Sequence, residues 1–162
     1  MHRFILLMML CSGFLSSCNP GKDTVRPKEE KIANILDQWH LAATNADLES
    51  YFAPLAKNAI YIGTDPGERW TKDEFYQFSK PYFDKGKAWD FKAFDRKVYF
   101  AEDGQTAWFN ELLNTWMGVC RGSGVLVKKE EGWKIIHYHL SVTVKNENVR
   151  EFLTIEKDTI KE

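Results

Sequence analysis

Residues 120–144 read CRGSGVLVKKEEGWKIIHYHLSVTV and predict one long antiparallel hairpin. Glu130, Glu131 and Gly132 separate its two arms, and a three-residue loop with glycine last favours a type I turn followed by a glycine bulge. The turn fixes the register, and the register decides the face on which each side chain lies. The predicted partners are Lys129 with Trp133, Leu126 with Ile136, Gly124 with Tyr138, and Gly122 with Leu140.

More sheet is predicted upstream of the hairpin. A strand from Thr106 to Trp116 would enter it through a two-residue turn at Met117 and Gly118. Before that strand, the alternation of apolar residues slips by one position between Ala93 and Phe94, which predicts a bulge and a bend in the sheet. The turn also predicts two further neighbours across strands, Glu111 beside Gly124 and Phe109 beside Leu126.

Three helices are predicted before this sheet. Apolar residues recur at three- and four-residue spacing between Ile32 and Ala43, as on one face of a helix. Asp47 can cap a short second helix, and Thr71 with Glu74 forms a capping box for a third. A brief strand from Ala59 to Gly63 lies between these two. Helices followed by a curved antiparallel sheet predict an α+β fold with the helices on one face.

The predicted register collects apolar side chains on one face of the sheet, together with two glycines. Glycine within a strand weakens it and often marks a bend or a close approach by another group, so Gly122 and Gly124 predict open space above them. The alternative is that they merely permit curvature. The predicted ligand pocket is lined by Tyr61, Asp65, Trp70, Phe109, Gly122, Gly124, Leu126, Ile136 and Leu140.

Glu111 is the best chemical candidate on this face. A carboxyl group among Phe109, Leu113 and Tyr138 would be poorly solvated, which favours a raised pKa suited to general acid or base chemistry. Tyr138 is the predicted partner, donating to a developing oxyanion. The alternative is a structural carboxylate paired with Arg121 or Arg96.

The opposite face of the sheet is mixed in character and suits an interface with another protein. His137 and His139 lie two residues apart, a spacing that metal sites also use. We find no convincing third ligand, and Arg121 on the same face would repel a cation, so no metal or other cofactor is predicted. Arg121, His137 and His139 are instead predicted to lie in a contact between two copies of the chain.

The amino-terminal residues predict export. His2 and Arg3 precede an apolar stretch from Phe4 to Leu15, which is shorter than the about 20 residues of a spanning helix and is typical of a signal peptide. Leu15 to Cys18 resembles the lipobox of bacterial lipoproteins, which implies a lipid on Cys18. The alternative is an ordinary cleaved signal with an incidental cysteine.

Charge and cysteine content agree with this prediction. Loss of Cys11 with the signal and acylation of Cys18 would leave only Cys120 in the folded part, so no internal disulfide is predicted and Cys120 is expected to be a small buried apolar residue. The formal charge is −1, and removal of Arg3 would make it −2. This balance gives no indication of a nucleic-acid partner. Membrane attachment would come from the lipid, with the domain facing the periplasm or the cell surface.

Four segments carry a resemblance to a known family. They are residues 61–65 (YIGTD), 107–109 (AWF), 121–125 (RGSGV) and 133–141 (WKIIHYHLS). With the order of helices and strands, they resemble the SnoaL-like branch of the nuclear transport factor 2-like superfamily over about residues 32–144. The resemblance implies a cone-shaped barrel in which a curved antiparallel sheet wraps on three helices, a cavity between them, and a homodimer.

The resemblance does not imply one activity, because this superfamily contains cyclases, isomerases, dehydratases and non-catalytic domains. The predicted organisation is a signal peptide at 1–17, an acylated tether at 18–30, the cone domain at 31–145 and a charged tail at 146–162. The first functional hypothesis is a membrane-anchored domain that binds a small apolar or amphipathic molecule. The alternatives are an isomerase, cyclase or dehydratase that uses Glu111, and a non-catalytic dimerisation module.

Overall fold

The computed structural model describes residues 20–155, which form four α-helices, a short 3₁₀ turn and six strands. The helices are α1 (Pro20–Thr44), α2 (Leu48–Phe52), α3 (Lys72–Asp84) and α4 (Val149–Ile155). The strands are β1 (Leu55–Ile62), β2 (Arg69–Thr71), β3 (Lys92–Phe100), β4 (Thr106–Thr115), β5 (Gly118–Lys129) and β6 (Gly132–Val142). The predicted α+β class is confirmed.

The long helix α1 buries the apolar stripe that its sequence predicts. Ile32, Leu36, Trp39 and Ala43 are all buried against the sheet. The helix begins at Pro20, however, and so runs through the segment predicted to be a tether, including Pro27. A polar segment is compatible with a helix as well as with an extended tether, so its composition does not distinguish the two.

Local capping signals set the other helix ends as predicted. Asp47 Oδ1 accepts a hydrogen bond from Ser50 N at 3.0 Å at the start of α2. Thr71 and Glu74 form the reciprocal capping box of α3, with Thr71 N donating to Glu74 Oε2 at 2.8 Å. Gly86 follows α3 in the left-handed conformation, at φ +68°, which only glycine adopts without strain.

The sheet has the strand order β2-β1-β6-β5-β4-β3 and is curved but not closed. The last four strands form the predicted antiparallel meander. The pairing of β1 with β6 is parallel, so the sheet is mixed and not wholly antiparallel. Strand β2, which was not predicted, pairs with β1 through three residues only.

The β5–β6 hairpin keeps the predicted centre of its register, with Gly124 opposite Tyr138 and Gly122 opposite Leu140. Nearer the turn the prediction is wrong, because the extra residue lies at Ile136 and not at the loop glycine. The observed partners there are Lys129 with Gly132, Lys128 with Trp133, and Leu126 with Ile135. The bulge turns Ile135 fully into the core and leaves Ile136 half-buried.

The β4–β5 register differs from the prediction by two residues. Its turn consists of Trp116 and Met117, so that Glu111 lies opposite Gly122, not Gly124, and Phe109 lies opposite Gly124, not Leu126. Side chains alternate with a period of two, and a shift of two therefore leaves every side chain on its predicted face.

A bulge in β3 positions one functional side chain. The register shifts between Phe94 and Lys97, where Asp95 has a φ of +47°, so Asp95 and Arg96 together oppose Glu111. The predicted bulge is thus present, two residues further along. It directs Arg96 toward α1, where Arg96 Nη1 donates to Ala33 O at 2.9 Å.

Helix α1 runs antiparallel to β3. Lys28, near its start, lies beside Gly104 in the turn that follows β3, and Thr44, its last residue, donates to Asp90 just before β3. The first turns of α1 and the β4–β5 turn therefore lie at opposite ends of the sheet. No helix within residues 20–155 has the length and apolar character needed to cross a bilayer.

Candidate functional site

Glu111 lies at the centre of a buried cluster of charged and polar side chains. Its side chain is 0% exposed. Arg96 Nε donates to Glu111 Oε2 at 2.6 Å, and His40 Nε2 donates to Glu111 Oε1 at 2.7 Å. Arg96 Nη1 also donates to Asp37 Oδ1 at 2.7 Å. The cluster thus joins α1, β3 and β4 through charge-assisted hydrogen bonds.

This arrangement is the one predicted as the structural alternative for Glu111, with Arg96 as the partner. Both carboxylate oxygens are engaged by basic side chains, Oε1 by His40 and Oε2 by Arg96. Asp37 and His40 line a groove of about 230 Å³ beside α1, so the cluster approaches solvent on the side of the helix.

Tyr138 lies next to this cluster, and its hydroxyl has no hydrogen-bond partner among the residues that the structure describes. Its ring is buried and meets Trp39 edge to face at 4.8 Å between ring centroids. Burial raises the pKa of Tyr138 well above its usual value, and the nearby carboxylate of Glu111 adds to this shift. The phenol therefore stays neutral in the folded protein.

The open space predicted above Gly122 and Gly124 is filled. A methyl group at Gly122 would lie 2.6 Å from the Tyr138 hydroxyl, and one at Gly124 would lie 2.8 Å from Phe109 Cε1. The glycines are thus sites of close approach, because large aromatic rings occupy the volume that a side chain would need. Phe109 and Leu126 are likewise buried in the packed core.

An open cavity does remain between the end of the sheet and α3, and we call it the mouth cavity. Its volume is about 120 Å³. Three of the predicted pocket residues, Tyr61, Trp70 and Leu140, line it, whereas Glu111 lies outside it. The other lining residues are Gly63, Thr64, Glu68, Phe75, Phe78, Trp89, Phe91, Trp116 and Met117.

The walls of the mouth cavity are stacked aromatic rings. Tyr61 stacks on Phe75 at 3.8 Å between centroids, and Trp70 stacks on Phe78 at 4.5 Å. Trp116 stands at the rim on the β4–β5 turn and is 85% exposed. Asp65, predicted to line the pocket, lies exposed in the loop before β2, where its Oδ1 accepts a hydrogen bond from Gly67 N.

Most of these lining residues lie in loops and turns, although Trp89, Phe91 and Trp116 were predicted to lie in strands, and their position at the cavity was missed. Trp89 and Phe91 precede β3, Glu68 precedes β2, and Trp116 and Met117 form a turn. The feature of the sequence that could have indicated them is the presence of large aromatic residues at loop positions, where binding residues often lie.

The residues predicted for the outer face of the sheet lie there. Arg121 and His139 are exposed, and His137 is half-buried. Burial lowers the pKa of His137, and the neighbouring charges of His139 and Arg69 lower it further. Tyr99 and Trp108 on the same sheet stack at 5.7 Å, and each is 43% exposed.

Two further predictions concern cysteines. Cys120 is free and fully buried, as expected for a small apolar residue. Cys18, the predicted lipidation site, lies outside the described residues.

Solved structures show the same fold at low sequence identity. An NTF2-like protein of unknown function from Pseudomonas putida KT2440 matches with a TM-score of 0.63 and 17% identity, covering 76% of this chain and 92% of that one. A domain of unknown function with a cystatin-like fold from Nostoc punctiforme matches with a TM-score of 0.63 and 18% identity, covering 89% of this chain and 90% of that one. An NTF2-like protein from Cytophaga hutchinsonii matches with a TM-score of 0.59 and 18% identity, covering 70% of this chain and 97% of that one.

Sequence comparison points to the same group. Among curated proteins, no match was found. The family model described as the SnoaL-like domain matches residues 32–145, which is more than half of the chain. The chain therefore belongs to the SnoaL-like family, within the NTF2-like group of folds.

Proposed function

We propose that this protein is an exported, lipid-anchored binding protein whose SnoaL-like domain holds a small apolar or amphipathic molecule in the mouth cavity. The observation that carries the proposal is the cavity itself, which has aromatic walls and opens to solvent beside the exposed Trp116. Concave apolar sites with a few polar groups at the rim are the usual form of small-molecule sites.

The volume of the cavity limits what enters it. Drug-sized ligands occupy pockets of about 300–1,000 Å³, whereas an apolar cavity of about 150 Å³ holds a benzene molecule. At about 120 Å³, the mouth cavity fits one ring or one branched group. The rest of a larger ligand would lie outside, against the exposed faces of Trp116 and Phe78.

The binding site is tested by nuclear magnetic resonance, using the indole N–H signals as reporters. Titration with benzyl alcohol is expected to shift the signals of Trp70, Trp89 and Trp116, which line the cavity. Trp108 on the outer face serves as an internal control and should not respond. If saturating benzyl alcohol and a panel of single-ring and branched apolar compounds shift none of the three signals, the proposed site is wrong.

The anchor rests on the resemblance of residues 15–18 to a lipobox. Expression in a bacterial host should place the protein in the membrane fraction with a mass increase from acylation. Cys18→Ser should abolish both, while Cys11→Ser, an equivalent change within the predicted signal, should abolish neither. Recovery of the Cys18→Ser protein in the membrane fraction would contradict the anchor.

A second proposal concerns self-association through the outer sheet face that bears Arg121, His137 and His139. The stacked and partly exposed rings of Tyr99 and Trp108 favour it, because paired aromatic residues on an exposed sheet face are typical of interfaces. Sedimentation at increasing concentration should show a dimer that Trp108→Glu disrupts. A monomer at all concentrations would refute this role.

A further inference from the structure

Aromatic residues from several elements of the fold line the mouth cavity. Trp70, Trp89 and Trp116 contribute indoles, and Phe75 and Phe78 contribute phenyl rings. Aromatic faces carry negative charge density, and a cation within about 6 Å of a ring centroid is attracted to it, most strongly by tryptophan. Aromatic rings that line one cavity together therefore favour a positively charged ligand.

Glu68 adds a full negative charge to the same cavity. It is the only charged side chain among the lining residues, and within residues 20–155 no lysine, arginine or histidine forms an ion pair with it. Its carboxylate accepts one hydrogen bond, from Asp65 N at 3.2 Å. The Glu68 charge also acts on Tyr61, which lines the cavity. Burial raises the pKa of Tyr61, and the nearby Glu68 carboxylate raises it further.

The nearest basic residue in sequence is directed elsewhere. Successive side chains of a strand point to opposite faces, so Arg69 lies on the face opposite to Trp70. The positive charge of Arg69 acts on His137, which belongs to the outer face. The carboxylate of Glu68 is thus left to pair with a ligand.

From these contacts we infer that the ligand of the mouth cavity is an organic ammonium ion, with its methylated head among the aromatic rings and beside Glu68. This inference rests on the proposed small-molecule site and gives its ligand a chemical class. A methylated ammonium suits the walls better than a primary amine does, because the cavity offers few acceptors for N–H groups, chiefly Glu68 and the Thr64 hydroxyl. An anionic ligand would be repelled by Glu68 and by the ring faces.

The test compares two probes of nearly the same shape by isothermal titration calorimetry. One is choline, and the other is the alcohol in which a carbon atom replaces the choline nitrogen. Choline is expected to bind about tenfold more tightly than its uncharged isostere, since the interactions of the cation with the rings and with the carboxylate add together. Equal affinities would overturn the charge inference and leave the proposed apolar site intact. No binding of either probe, together with no response of the indole signals, would refute both.

Glu68 is tested separately with Glu68→Gln. Glutamine keeps an oxygen for Asp65 N but removes the charge, so the affinity for choline should fall about threefold while that for the isostere stays the same. Glu131→Gln, on the β5–β6 turn, is the matched control and should change neither affinity. An unchanged affinity of Glu68→Gln for choline would overturn the role of Glu68.

A second variant perturbs the same carboxylate without removing it. A methyl group at Gly63 would overlap Glu68 Oε2, so Gly63→Ala must displace the carboxylate from its present position. Its affinity for choline is expected to fall more than its affinity for the isostere. Gly67→Ala in the same loop is its control, and a thermal melt of each variant establishes that the fold is intact.

Discussion

Replacement of Arg96 by methionine should destabilise the domain severely, because it leaves a buried charge without its main partner. Arg96 is 11% exposed and Glu111 0% exposed, and the bond between them is 2.6 Å long. Removing one member of a buried ion pair costs about 3–5 kcal/mol. The whole stability of a domain is about 5–15 kcal/mol, so Arg96→Met should remove a large part of it and lower Tm by roughly 10–20 °C.

The assay is urea unfolding followed by tryptophan fluorescence and near-ultraviolet circular dichroism. Lys80→Met is the control, because it breaks an exposed pair with Asp84 of similar length, 2.7 Å. That change should cost little, because solvent screens the exposed pair. The double variant Arg96→Met with Glu111→Leu replaces both charges by apolar groups and should recover part of the loss, because it removes the unpaired carboxylate but leaves His40 Nε2 without its acceptor.

Two results would refute this reasoning. One is an Arg96→Met variant whose free energy of unfolding lies within about 1 kcal/mol of that of Lys80→Met. The other is a double variant no more stable than Arg96→Met alone. Binding to the mouth cavity should not depend on this ion pair, because Glu111 lies outside the cavity. An Arg96 or Glu111 variant that remains folded should therefore still bind benzyl alcohol.

The remaining predictions concern packing, ionisation and capping. Gly124→Ala should lower the free energy of unfolding by about 1–3 kcal/mol, because the new methyl group would lie 2.6 Å from the backbone oxygen of His137. Gly67→Ala, in an exposed turn, is the control and should lower it much less. Equal losses in the two variants would contradict the packing argument. Thr71→Ala should cost about 1 kcal/mol by removing the cap of α3, and Thr71→Ser should restore most of it, as unfolding curves will show. In an ultraviolet titration, Tyr51, Tyr61 and Tyr138 should ionise only when the protein unfolds, because burial raises the pKa of each above 10.0. Tyrosines of the unfolded chain lose their protons at lower pH, so the free energy of unfolding should fall as pH rises above about 10. A smooth ionisation of these three tyrosines without unfolding would disprove this.

Local patterns in the sequence predicted the helices and the meander because their causes are local. Helical spacing places Leu36 and Trp39 in the core, and the oxygens of Asp47 and Thr71 cap the helices that follow them. The faces of the sheet were also predicted, although two registers were not. An error of two residues at the β4–β5 turn preserves the alternation of side chains, and the bulge at Ile136 restores the predicted pairing at Gly124.

The position of the cavity could not be predicted in the same way. Whether the space above Gly122 stays open depends on the size and direction of a side chain from the neighbouring strand, and Tyr138 fills it. The pairing of Glu111 with Arg96 depends on the left-handed conformation of Asp95, which turns Arg96 inward at the bulge. Such contacts join residues that are distant in sequence, and no periodic pattern records them.

The length and direction of α1 determine how the domain would be presented to its surroundings. A helix of 25 residues is about 37 Å long, and α1 runs along β3 toward the end of the sheet that carries the β4–β5 turn. Pro20, the first residue of α1, therefore lies at the far end of the molecule from Trp116. The lipid anchor proposed above would then leave the opening of the mouth cavity facing the aqueous compartment, so that ligands would enter it from solution and not from the lipid layer.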